Sequence, residues 1–582
     1  MLWMIFFCLA VAVLGFMTLI TVVGALRRAA GYKALLGTML AGVLIAAFLL
    51  FLPVYIQVLR DSNSGLLEAV FVAIHSVLKL FTIDGDFLMV SQQLAALPGW
   101  LCTAYGALLS LLFLLVPVLA SVYVLSFFSR VKQTFILLTS RRRPIYLFSD
   151  LNDKSLTLAE DVTKGRRALV VFADVFRKQE EQSRDWMIRA ERLGALCFSD
   201  DAVVLYTRYF RDYSSKTPYI RLLFIGEDEN ENVHQTTEVA KTLDGEKPTT
   251  VFVFTTQPEA ETLLSAVACP SDKVQFRLIS DARRVAYDLM EREGYDLLYK
   301  SAAEDKTMSV VVLGMGRHGA ELVKILSWMG QMDGYRLQIH VFDRDPMAPS
   351  RFASQCPELV SPPSVGEGMP CHDITIHAPA DVTTSEFDKI IQSLPAVTCV
   401  LVAMGDDSRN INTAIKMRQL CARMGWHPPV RALIYDAWRA DCVSQLRTYQ
   451  NAPHDIGCFG GLMDTYSKDL VDGSDNEQEA YRLHSMWSDG GWRSEYEYRS
   501  SMAMVMHKGM RSRCGIPGND RAPADRTVYE NEALRRLEHR RWVAYMRSEG
   551  YCYGPVRDAL AKLHPLMIPY GMLPEQEKTK DV

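Results

Sequence analysis

GLLEAVFVAIHSVLKLFTIDGDF, residues 65–87, is the stretch on which the reading of the N-terminal quarter turns. Leu66, Val70, Ile74, Val77, Leu78 and Phe81 fall on one helical face, with Glu68, His75 and Lys79 on another. At helical rise residues 65–81 span only ~25 Å, short of a bilayer core. Charged side chains on such a helix would also be costly facing lipid. Two readings stay open. The segment re-enters the membrane between two spans and hands over to Thr82, Ile83, Asp84, Gly85 and Asp86. Alternatively it lies flat on the surface, with Asp84-Gly85-Asp86 a polar turn outside the membrane.

Apolar runs on both sides predict spanning helices over 2–26, 37–59 and 99–128, the third ~45 Å long and protruding from the lipid. A cleaved leader does not fit the first run, because Arg27, Arg28 and Lys33 follow it and no small-residue cleavage site is evident. Those cations, and Arg130, Lys132, Arg141, Arg142 and Arg143 after the third run, belong on the cytoplasmic side by the positive-inside bias. The expectation is a multi-pass protein of the cell inner membrane in contact with membrane lipid, its N-terminus and the 65–87 loop outside and everything after 130 cytoplasmic.

A short amphipathic helix between two spans, followed by Thr82-Ile83-Asp84-Gly85-Asp86-Phe87, resembles the pore helix and filter of the potassium-channel superfamily, where the run is T-V-G-Y-G-D. The resemblance implies a homotetramer with Thr82, Ile83, Asp84, Gly85 and Asp86 lining the pore. Asp84 and Asp86 stand where the family has glycines, and Gly85 replaces the tyrosine. Fourfold symmetry would then present rings of carboxylates, which favour cations and raise one another's pKa values. The departure predicts cation conduction without strict potassium selectivity.

The chain has 582 residues and a net charge of -4, which suggests several domains and no nucleic-acid partner. Its twelve cysteines are scattered, without a CxxC pair or zinc spacing, and read as reduced thiols; no metal site is expected. The domain reading is a membrane part over 1–143, α/β units over 144–305 and 306–475, and a small, mainly α-helical module over 476–582. In the first unit, apolar segments at 144–148, 168–173, 195–198, 219–225, 250–254 and 275–279 alternate with helical sequence, predicting a doubly wound, Rossmann-like parallel sheet. Its first turn has Ser149, Asn152 and Ser155 in place of phosphate-binding glycines, so these residues read as helix caps and the unit as empty of nucleotide.

In the second unit, a strand at 308–313 runs into Gly314-Met315-Gly316-Arg317-His318-Gly319 and then a helix over 320–329. A strand over 337–342 ends at Asp343, next to Arg344. G-x-G-x-x-G between strand and helix, with an acidic residue some twenty residues on, places a helix N-terminus against phosphate and a carboxylate against a ribose hydroxyl. Gly314, Gly316, Gly319, Asp343 and Arg344 are therefore the candidate contacts for a nucleotide or dinucleotide, against the alternative of a purely structural glycine turn. Strands at 397–403 and 430–435 are expected to complete the sheet, with 405–407 at its ligand-binding carboxyl end. The polar run 470–477 reads as an exposed linker. Two Rossmann-like units after a pore module resemble the paired regulator-of-conductance (RCK, TrkA-N-like) domains of ligand-gated potassium channels, which implies a cytoplasmic ring that gates the inner helix.

Beyond 476, Glu538-His539-x-Arg541-Trp542, Gly550-Tyr551-x-Tyr553-Gly554-Pro555-x-Arg557-Asp558, His564-Pro565 and Leu573-Pro574-Glu575-x-Glu577-Lys578 resemble the repeat of ryanodine receptors, the RyR domain. Glu538, His539 and Trp542 share a helix face by spacing, with Tyr551, Tyr553 and Arg557 near in sequence. An aromatic wall with Arg and His can stack a base and hold a phosphate. The alternative is a small helical core, with Trp542 and Tyr553 packing and Glu538–Arg541 a solvated ion pair. No positioned nucleophile, acid or base accompanies the glycine turn, so an enzyme is not expected. Taken together these features predict a ligand-gated cation channel sensing a small nucleotide-type signal; a messenger that opened it would depolarise the cell, as an antiviral defence could. The rival is a membrane-anchored nucleotide-binding regulator without a pore.

Overall fold

Residues 2–26, 32–60, 65–82, 87–165, 167–175, 181–213, 216–243, 245–257, 259–265, 273–363, 365–445, 455–486, 488, 492 and 494–579 are described by the computed structural model. The chain divides after Ser140 into two units.

The first unit is helical: α1 (Leu2–Leu26), α2 (Tyr32–Arg60), α3 (Leu66–Lys79), a 3-10 turn Leu80–Thr82, α4 (Phe87–Leu94) and α5 (Gly99–Thr139). Helices α1, α2 and α5 each contain a stretch long and apolar enough to cross a membrane. Helix α5 runs on past the expected end at 128 because nothing before Ser140 breaks it; its 41 residues span ~60 Å. Leu101, Tyr105, Leu109, Leu112, Val116 and Ala120 form its buried stripe, while Leu111, Leu114 and Val118 on the other side are exposed. Tyr105 donates its hydroxyl proton to the carbonyl of Leu50 at 2.5 Å, tying α5 to α2.

Helix α3 buries only one edge of its apolar face. Its buried residues are Ala69, Ala73, Ser76 and Val77, while Leu66, Leu67, Phe71, Ile74, Leu78 and Phe81 are exposed. Small side chains let α3 approach α2 closely, which is how helices associate where bulk hydrophobicity gives no preference. Ser76 donates to the Tyr55 hydroxyl at 2.7 Å. Helix α4, which the sequence reading does not anticipate, adds Val90 and Leu94 to the same core. Of the candidate pore residues, Thr82 closes the 3-10 turn; Ile83, Asp84, Gly85 and Asp86 lie outside the described residues.

The second unit is built on two six-stranded sheets. Strands β1 (Ile145–Phe148), β2 (Leu169–Phe172), β3 (Leu196–Cys197), β4 (Ile220–Phe224), β5 (Thr249–Phe254) and β6 (Val274–Ile279) form the first. Strands β7 (Thr307–Leu313), β8 (Arg336–Phe342), β9 (His372–His377), β10 (Cys399–Val402), β11 (Val430–Leu433) and β12 (Ile456–Phe459) form the second. Their orders, β3-β2-β1-β4-β5-β6 and β12-β11-β10-β7-β8-β9, are one doubly wound topology used twice, and neighbouring strands pair in parallel. Central strands such as β1, β7 and β10 are buried almost throughout and mostly apolar, with Ser309 a buried exception in β7. The edge strands β9 and β12 are additions to the expected sheet. In β9 a polar or exposed residue alternates with each isoleucine, and β12 is four residues long with Gly457 inside it.

Both sheets also share their polar joints. Asn232 bonds the Gly226 amide and the carbonyls of Gly226 and Phe254; Asn410 takes the Met404 amide and gives to the Leu433 carbonyl. Each asparagine stitches the fourth strand of its sheet to the fifth.

The helix after each sheet packs into the other sheet's core. Val285, Ala286, Leu289 and Met290 of α7 (Asp281–Gly294) join Val310, Val312 and the buried face of α8 (Arg317–Met329); α6 is the helix Asp153–Thr163 of the first sheet. In return Tyr466, Leu470 and Val471 join Tyr146, Phe148, Leu156 and Phe254 of the first core, and Tyr146 donates to Asp472 at 2.6 Å. Leu470 and Val471 thus contradict the expectation of an exposed linker: the apolar pair is the anchor of this return crossing. The C-terminal segment is mainly helical, with α9 (Glu495–Arg513) and α10 (Val528–Ser548). Ala503, Met506, Met510, Leu537, Tyr545 and Met546 share one core with α8.

Candidate ligand-binding site

The glycine turn joins β7 to α8 and its three glycines have different duties. Gly314 has φ +96°, and a Cβ there would lie 2.5 Å from the Ala403 carbonyl oxygen. A Cβ on Gly319 would lie 1.8 Å from the Gly314 carbonyl oxygen. Both are needed for the backbone to pack. Gly316 is the N-cap of α8, with no side-chain cap, and open space where its Cβ would be. The uncapped amides of this helix end are what an anion would meet.

Asp343 stands at the end of β8 as expected, but its carboxylate is engaged by the turn itself. It accepts from the Met315 amide at 2.6 Å and from the Asp345 amide at 2.8 Å. A ribose hydroxyl would share these oxygens with two backbone donors. Arg344 is exposed beside it. In the first sheet Asn152 caps α6, bonded reciprocally with Ser155, and Ser149 accepts from the Ile225 amide. All three polar residues of that turn serve the fold.

The first turns of the two sheets border one cavity of about 380 Å³, into which Lys154 and Trp186 come from the first sheet's helices, Arg317 and His318 from the start of α8, and Tyr435 and Tyr466 from the second sheet's far side. Lys154 pairs with Asp281 at 2.6 Å, and Arg317 with Glu229 at 3.0 Å. Burial opposes ionisation of Glu229, but hydrogen bonds from Thr256 and Thr255 and the charge of Arg317 outweigh it and hold its carboxyl below the usual range. His318 Nε2 is 2.6 Å from the Tyr435 hydroxyl, and burial pushes its pKa down to about 4. The imidazole is therefore neutral near pH 7 and its Nε2 can accept the Tyr435 proton. Both cations are already paired, and Asp153, Glu227 and Asp281 also line the cavity, so an anion entering beside the aromatic rings would have to break an ion pair. The sequence motif points to this turn; Lys154, Trp186, Tyr435 and Tyr466 carry no motif, since only the packing of one sheet against the other brings them there.

The C-terminal candidates do not form one wall. Glu538 is buried between Arg541, at 2.6 Å, and Arg511, at 3.3 Å, which corrects the reading of a solvated pair. His539 Nε2 is 2.8 Å from the Ile568 carbonyl, and its ring stacks on Trp542, which also meets His564 edge-on and hydrogen-bonds with Tyr496. Tyr553 is 49% exposed, so it is not a packing residue; its amide donates to Glu358. Tyr551 and Arg557 line a separate, larger cleft. Among the described residues no group of three or more His, Cys, Asp or Glu is placed to hold a metal ion. No protein-family model matches the chain, and no curated protein is significantly similar to it.

Proposed function

We propose that the protein is a ligand-gated cation channel of the inner membrane, working as a homotetramer, in which the paired sheets act as an RCK-like gating ring and the C-terminal segment as an RyR-like sensing module. The observation that carries this reading is α3. It has fourteen residues, ~21 Å, too short to span, yet it packs in one core with the spanning helices α2 and α5. A helix lying apart on the membrane surface would have no need of the small-residue face that α3 turns to α2. Around a fourfold axis such a helix would bring Thr82, Ile83, Asp84, Gly85 and Asp86 together, and the acidic pair would favour cations.

The signal on this reading is a small nucleotide-type ligand, as the resemblance of the larger unit to RCK and RyR domains implies, and it could sit at the glycine turn or elsewhere in that unit. Gating follows if the ligand binds the open arrangement more tightly than the closed one. Replacing Asp84 with Asn in protein reconstituted into liposomes tests the pore: cation-over-anion preference should fall while the oligomer stays intact on size exclusion. Unchanged permeation would remove Asp84 from the conduction path, and no permeation in either protein would favour the anchored regulator.

A further inference from the structure

A cleft of about 850 Å³ opens between the carboxyl ends of β5 and β6, helix α8 and the segment formed by α9 and the residues after α10. Its deeper charges are closed among themselves. Arg283 binds Glu321 at 3.1 Å and Glu549 at 3.3 Å; Arg499 binds Glu261 at 2.9 Å and Glu549 at 3.2 Å. Burial opposes ionisation of Glu549, but Arg283 and Arg499 outweigh it and hold its carboxyl below the usual range. Arg499, only 8% exposed, keeps an Nε with no hydrogen-bond partner among the described residues.

The loop after α10 adds cations of a different kind. Lys562 donates to the Glu549 backbone carbonyl at 2.8 Å, and Arg557 is exposed at the rim; among the described residues neither has an ion pair with a carboxylate. Beside them Tyr496 and Tyr551 stand with ring centroids 5.8 Å apart. Burial raises both phenol pKa values, Tyr551's to about 12, and Arg557 is close enough to pull each back. Leu560, 84% exposed, also belongs to the cleft wall.

We propose that this cleft binds a nucleoside phosphate, its phosphate held by Arg557 and Lys562 and its ring set against Tyr496 and Tyr551 under Leu560. The proposal rests on the reading that the larger unit senses a nucleotide-type signal, and it locates that signal away from the glycine turn. Guanidinium and ammonium donors match phosphate oxygens, and a base stacks on tyrosine or arginine planes. An occupant would touch the first sheet, α8 and the C-terminal segment at once. Its affinity would therefore depend on how the three sit together, which is what coupling to a gate requires.

The test is calorimetric titration of the full-length protein in detergent with AMP, ADP, ATP, their guanosine counterparts and inorganic phosphate. At least one nucleotide should bind, with inorganic phosphate weaker by about tenfold or more. The double variant Arg557→Gln, Lys562→Gln, altered only on exposed side chains and checked for an unchanged melting temperature, should lose about tenfold or more in affinity. Gly316→Trp, at the glycine turn, tests the rival location and should leave this affinity unchanged if the cleft holds the nucleotide. Loss with Gly316→Trp but not with the double variant would overturn the assignment, as would equal binding of phosphate and nucleotide, or no nucleotide binding at all. Liposome flux on the same preparation separates the two claims: flux under a ligand that ignores the double variant overturns the cleft alone, and nucleotide binding without flux overturns the channel alone.

Discussion

A Cβ on Gly319 would stand 1.8 Å from the Gly314 carbonyl oxygen, whereas one on Gly316 meets nothing within 4 Å. Gly319→Ala should therefore destabilise the protein by about 1–3 kcal/mol or more through overpacking, and Gly316→Ala by less than about 1 kcal/mol, read as shifts in the urea midpoint. Equal costs would mean that the turn is not packed as described. His318 gives a pH signature. The fold lowers its pKa from 6.5 to about 4, so the unfolded chain takes up the proton first as pH falls. Its contribution to stability is complete above about pH 6.5, declines down to about pH 4 and stays lost below. His318→Gln should flatten that part of the stability–pH curve; an unchanged slope would assign it to another group. The glycine motif and Asp343 are legible from spacing alone, but the duty of each is not. Nothing in G-x-G-x-x-G says that Asp343 is engaged by the Met315 and Asp345 amides, because that depends on where β8 ends relative to the turn.

Helix α3 shows what periodicity does and does not decide. The spacing of Leu66, Val70, Ile74, Val77, Leu78 and Phe81 identifies a helix, but the residues turned inward are Ala69, Ala73, Ser76 and, alone of the apolar set, Val77. In water the large apolar side chains would go inside; on the proposed membrane placement that preference would vanish and close approach would favour the small ones. Ala73→Leu should cost about 1–3 kcal/mol by overpacking against α2, while Ile74→Ala, on the exposed face, should leave the detergent melting temperature nearly unchanged. The opposite ranking would restore the large-residue face as the packed one. On α10 the buried Glu538 is shared by Arg541 and Arg511. Glu538→Ala leaves two buried guanidinium groups unpaired and should destabilise by about 3–5 kcal/mol, checked by thermal melting; a loss below about 1 kcal/mol would return the pair to the exposed class. The central strands are legible because burial on both faces leaves continuous apolar runs. The edge strands β9 and β12 are not, because one side of each is open and their sequences mix polar residues and glycine.

At the scale of the molecule, alternating strands and helices foretell two α/β units, but not that each sheet lends a helix to the other's core. That exchange buries Leu470 and Val471, which composition alone places in a linker. It also creates both clefts, whose lining residues come from segments up to several hundred positions apart and carry no shared motif. A duplicated sheet with crossed helices could work a gate only if it is joined to a conducting pore. The most direct measurement is cation flux through the purified protein in liposomes, with and without nucleotides, comparing wild type with Asp84→Asn. A gated channel should show flux that changes several-fold on nucleotide addition and is altered by the Asp84 substitution. Clear nucleotide binding with no flux in either protein would contradict it.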